Sequence, residues 1–164
     1  MTHQTIASTP VESPATPVGI DPRGPQLSAG LTTIVLAAVL SLAPGAIATV
    51  LLAGQAAVFA IGATLGVQHT PYALVFRTLV RPRLAPPAHL EDARPPRFAQ
   101  GVGLGFVVVA LAGFVLGATT LGLVATGFAL AAALLNAAFG FCLGCELYLI
   151  GVRVFSRAAT TTAR

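Results

Sequence analysis

Cys142, Cys145 and Glu146 are the residues of this chain whose types and spacing could do chemistry. Residues i, i+3 and i+4 of a helix share a face, so the two thiols and the carboxylate group together. A CxxC pair within one turn also meets the Cα separation of about 4.4–6.8 Å that a disulfide needs. The first chemistry to expect is therefore thiol redox or sulfur transfer, with Glu146 as proton acceptor. A second is metal binding: Cys142, Cys145 and Glu146 offer three ligands, and His69 or His89 could add a fourth. A single CxxC without a second such pair is an incomplete zinc signature. The third reading is structural, with the cysteines packing as small apolar residues and Glu146 at the lipid headgroups. One electrostatic consideration opposes the redox reading. The pair lies near the end of a long apolar segment, where a helix dipole is negative and Glu146 adds like charge, and both disfavour a thiolate. A helix break at Gly140 or Gly144 would lift that objection.

The elements that must position these residues are set by composition. The chain has 164 residues, 55% of them hydrophobic and only 9% charged, and its mean hydropathy is +0.86. Soluble domains carry about 25% charged residues, so most of this chain has no water-facing surface. The fold class expected is an all-α membrane protein with four transmembrane helices and a short amphipathic interfacial helix in the central loop.

Residues 1–25 are polar and rich in proline and read as a disordered tail. A membrane domain over 26–156 comes next, with spans at about 26–43, 45–66, 98–117 and 121–150, and residues 157–164 read as a second tail. Gln55, in the second span, needs a partner in lipid and should face another helix. In the central loop, residues 67–97, Thr70–Pro71 is a helix-start signal. Tyr72, Val75, Phe76, Leu79 and Val80 then recur at helical spacing opposite Arg77 and Arg81. The fourth stretch exceeds the roughly 20 residues needed to cross, so its end must tilt, bend or emerge. Glycine pairs four apart (Gly101/Gly105, Gly113/Gly117, Gly140/Gly144) permit close helix contact, including contact between copies.

All nine basic residues are arginines. They occupy the N-terminal segment, the central loop and the C-terminus, and are missing from the other two loops. The positive-inside rule then places both termini and the central loop in the cytoplasm of a bacterial cell, the protein being multi-pass in its cytoplasmic membrane. The net charge of +4 flanks apolar segments instead of forming a stripe with aromatics, which argues against nucleic acid as a partner. There is no phosphate-binding glycine loop with its lysine and no Ser-His-acid set, and no cofactor is expected.

Three stretches carry a resemblance: DPRGPQLSAGLT at 21–32, TPY at 70–72 with RPRLAPPAHLEDARPPRFAQ at 81–100, and NAAFGFCLGCELYL at 136–149. Together they resemble the domain-of-unknown-function family 4395 (DUF4395), small membrane proteins common in actinobacteria. The resemblance covers about residues 20–155. It implies no catalytic residue, because the family has no established activity. It does imply proximity to thioredoxin-like and sulfurtransferase proteins as cytoplasmic partners, and so a link to sulfur metabolism. The alternative is a non-enzymatic adaptor whose arginine-rich loop recruits a partner.

Overall fold

The computed structural model describes residues 19–162, with side chains described as far as Ser156. The expected N-terminal tail lies mostly outside the described residues. So do residues 163–164 of the expected C-terminal tail. Four helices are long and apolar enough to cross a membrane: α1 (Arg23–Leu42), α2 (Ala46–Thr64), α4 (Arg94–Val115) and α5 (Thr119–Phe139). Between α2 and α4 lie a 3-10 turn (Val67–His69), α3 (Pro71–Val75), a π-helical turn (Phe76–Val80) and a second 3-10 turn (Arg81–Arg83). Two short strands, β1 (Gly19–Ile20) and β2 (Glu91–Asp92), precede α1 and α4, and α6 (Leu143–Thr162) closes the chain.

Each half of the bundle opens on the same motif. Asp21, Arg23, Pro25, Leu27, Ser28 and Gly30 recur as Asp92, Arg94, Pro96, Phe98, Ala99 and Gly101. Asp21 accepts the Arg23 amide at 3.1 Å and its Nε at 2.9 Å. Asp92 likewise accepts the Arg94 amide and Nε, both at 2.9 Å. Each aspartate thus satisfies an amide at a helix start that would otherwise lack a partner, and the prolines sit in the first turn, where no N–H is missed. β1 and β2 pair antiparallel, Ile20 with Glu91 and Gly19 with Asp92. Ile20 and Glu91 each stand just before the aspartate of their own motif, so equivalent residues of the two halves pair with each other.

The packing obeys the same relation: α1 packs on α5 as α2 packs on α4. So do the helix ends. Arg97 Nε donates to Ala63 O at 2.8 Å and its Nη2 to Thr64 O, closing the carboxyl end of α2. The residue in Arg97's place in the first half is Gln26, whose Nε2 donates to Ala137 O near the end of α5 at 3.3 Å.

The core of the bundle is Leu36, Val39, Leu52, Phe59, Val107 and Ala110, with Ala48, Ala125 and Ala129 buried among them. Lipid tails are as apolar as these side chains, so close packing and interhelical hydrogen bonds hold the helices together. A Cβ at Gly113 would stand 2.7 Å from Gly122 N, which fixes the crossing of α4 and α5. Gln55 is buried, as expected of its position: its Nε2 donates to Thr32 Oγ1 on α1 at 3.3 Å, and Tyr72 Oη on α3 donates to its Oε1 at 2.8 Å. Outward, Ile34, Val50, Val115 and Phe128 are exposed, as suits a lipid-facing surface.

The stretch expected as one span over 121–150 is two helices. α5 ends at Phe139, and Gly140 takes the left-handed conformation (φ 66°), its amide donating to Asn136 O at 2.9 Å. Glycine reaches that conformation without the cost a Cβ imposes. α6 then starts afresh.

Candidate thiol site

The thiol site is built at the start of α6. Cys142 caps this helix: its Sγ accepts the Cys145 amide at 3.3 Å and its carbonyl accepts the Glu146 amide at 3.0 Å. The two sulfurs are joined to each other, with Cα atoms 5.2 Å apart, and both residues are half-buried. Glu146 is exposed in the first turn of α6, where a carboxylate complements the helix dipole.

Two contacts hold this turn against α4. A Cβ at Gly144 would stand 2.6 Å from Ala99 Cβ and 2.7 Å from Ala99 Cα, so only glycine permits the approach. One turn on, the Tyr148 and Phe98 rings lie 5.7 Å apart at 49°. The carboxyl end of α5, from which the thiol loop departs, is held by Gln26.

The expectation that the thiols lie at the negative end of a helix is thereby corrected. The break at Gly140 puts them at the amino end of α6, where unpaired amides and the dipole favour negative charge on sulfur. The residue that makes the break is Gly140, two positions before the first cysteine.

The structure gathers Cys142, Cys145 and Glu146 at one helix end and leaves the two histidines elsewhere. His69 is exposed in the 3-10 turn after α2, and His89 lies 3.6 Å from the Glu91 carboxylate beside β2. Among the described residues, no three His, Cys, Asp or Glu side chains are grouped as a metal site would require.

The helix start expected at Thr70–Pro71 is the counterpart of this turn in the first half of the chain, a relation that sequence reasoning missed. Thr70 caps α3, its Oγ1 accepting the Ala73 amide at 3.1 Å, as Cys142 Sγ accepts that of Cys145. The signal was present in the paired Asp-x-Arg-x-Pro motifs, whose repetition implies that the helices placed after the two hairpins are related as well.

No curated protein and no solved structure matches the chain. The family described as "Domain of unknown function (DUF4395)" matches residues 20–153, most of its length. The chain, with its four helices long and apolar enough to cross a membrane, belongs to the DUF4395 family.

Proposed function

We propose that this protein is a thiol–disulfide exchange component of the bacterial cytoplasmic membrane, with Cys142 as nucleophile and Cys145 as the resolving thiol. One observation carries the reading: a CxxC pair opens a helix that begins at the arginine-bearing end of the bundle, its first sulfur receiving the second residue's amide. That amide and the dipole of α6 stabilise a Cys142 thiolate in the reduced form. The arginine distribution supports a cytoplasmic site and cytoplasmic termini, with the segment Pro71–Val80 lying along the interface. A thioredoxin-like protein is the partner such a site suits.

The exchange conserves atoms and electrons. The Cys142 thiolate attacks a disulfide sulfur of the partner, forming a mixed disulfide and expelling one partner thiolate, which takes a proton. Cys145 gives its proton to Glu146 and attacks the Cys142 sulfur, forming the internal disulfide and expelling the second partner thiolate. The partner is reduced by two electrons and the CxxC pair is oxidised by two, and the reverse sequence restores it.

Acid-trapped thiol labelling in native membranes tests this, together with Cys145→Ser, which removes the resolving thiol. Labelling that appears only after reduction, and a mixed disulfide accumulating through Cys142 in Cys145→Ser, are the expected results. Thiols that stay free and slow to react under every condition would overturn the proposal.

A further inference from the structure

The two halves of the bundle differ beside the helices placed after each hairpin. In the second half, Gly144 on Ala99 and Tyr148 on Phe98 close the space between α6 and α4. In the first half the corresponding space is open. A cavity of about 310 Å³ lies between the start of α1, the 3-10 turn after α2, α3 with its π-helical turn, and α4. Arg77, Arg81, Gln68 and Gln100 supply its polar lining, with Phe76 and Leu90 among the apolar groups.

The charges do not cancel. Asp21 also lines the cavity and attracts Arg81, but its carboxylate is hydrogen-bonded to Arg23 at 2.8 Å and leaves the lining with net positive charge. Among the described residues, neither Arg77 nor Arg81 has a hydrogen-bonded or ion-paired side-chain partner. The cavity sits where the helices end and arginines gather, at the height of lipid headgroups. A cavity with two guanidinium groups that no side chain pairs and an apolar wall fits an anionic head with an attached chain.

We propose that this cavity binds an anionic phosphate ester, the phosphate lying between Arg77 and Arg81. A phosphatidylglycerol headgroup from the surrounding leaflet and a soluble glycerol phosphate share this chemistry. Basic pockets between membrane helices recognise anionic headgroups in this way. The site is separate from the thiols, so it stands whether or not they exchange with a partner.

The test is native mass spectrometry of the full chain released from nanodiscs of phosphatidylcholine with and without phosphatidylglycerol. The wild type should retain phosphatidylglycerol, and Arg77→Gln/Arg81→Gln should weaken that retention about tenfold or more, from two phosphate contacts. Arg83→Gln should leave it unchanged, because Arg83 lies outside the cavity lining and bonds the Leu79 carbonyl on the preceding turn. Ala73→Leu narrows the cavity without altering charge and should lower retention too, which decides the matter if the arginine variant does not fold. Cys142→Ser/Cys145→Ser should retain the lipid. Displacement of retained lipid by soluble glycerol phosphate, lost in the arginine variant, would identify the same site with a soluble ligand. Equal retention by wild type and Ala73→Leu, or equal losses in Arg83→Gln and the arginine variant, would overturn the proposal.

Discussion

Gly144→Ala is the sharpest perturbation of the thiol site, because two opposed effects of known size meet there. In most helices the change is favourable, with alanine exceeding glycine by about 1 kcal/mol. Here the added Cβ would stand 2.6 Å from Ala99 Cβ and 2.7 Å from Ala99 Cα, where ordinary contacts are 3.4–4 Å. One of the opposing atoms is backbone, so no rotamer change relieves the clash and α6 must lift off α4 by roughly an ångström. Overpacking of this kind costs about 1–3 kcal/mol. Gly144 also lies in the first turn of α6, where the propensity gain is smaller than in a helix interior. The clash therefore wins, leaving a net loss of about 1–2 kcal/mol.

Unfolding in mixed micelles gives the global value. The labelling rate of the reduced cysteines gives the local one, and a local opening of about 1.4 kcal/mol corresponds to a tenfold rise. Gly140→Ala separates packing from backbone strain. No atom lies within 4 Å of a Cβ there, but φ is +66°, and the cost of about 1–2 kcal/mol comes from the left-handed conformation alone. Ala99→Gly should partly rescue Gly144→Ala and not Gly140→Ala. A Gly144→Ala protein as stable as wild type, with unchanged labelling, would refute the view that α4 and α6 hold the site by close approach.

The buried Gln55 makes a second test. Gln55→Leu strands the Tyr72 hydroxyl and should cost about 1–2 kcal/mol, whereas Tyr72→Phe should cost under about 1, and the two losses should not add, as measured by unfolding of the single and double variants. Acid should loosen the β1–β2 pairing. Arg23 and Arg94, chiefly through their side-chain hydrogen bonds, hold the Asp21 and Asp92 carboxyls below their ordinary value of 3.8. A depressed carboxylate adds stability at neutral pH that is lost as pH falls through that value toward the lower folded one. Amide exchange at Gly19–Ile20, corrected for intrinsic rate, should rise over that window, and Asp21→Asn should flatten the dependence.

Hydropathy alone made the four membrane-length helices legible, because apolar runs bounded by arginine or proline have few alternatives in lipid. The CxxC pair and its acid were equally visible. What pattern could not convey was the break between them and the span. Leu121 to Ile150 is apolar almost throughout, and glycine within such a run serves helix contact as often as termination. Only the left-handed conformation of Gly140, with Cys142 taking over as a cap, shows that the chain turns there. The reversal of the thiols' electrostatic setting stems from that one residue. The Tyr72–Gln55–Thr32 link was half legible: a glutamine in lipid needs a partner, but the choice of a tyrosine from the central loop depends on the path of α3.

The exchange of helix-end contacts between the halves bears on how the chain is made. As synthesis proceeds, the first hairpin enters the bilayer with the Ala63 and Thr64 carbonyls of α2 still open, because Arg97 has yet to be translated. When the second hairpin arrives, Arg97 closes those carbonyls, and α5 meets Gln26 already in place. The first pair of helices is thus a waiting half that its successor completes, and the thiol turn, emerging last, is laid onto a finished bundle.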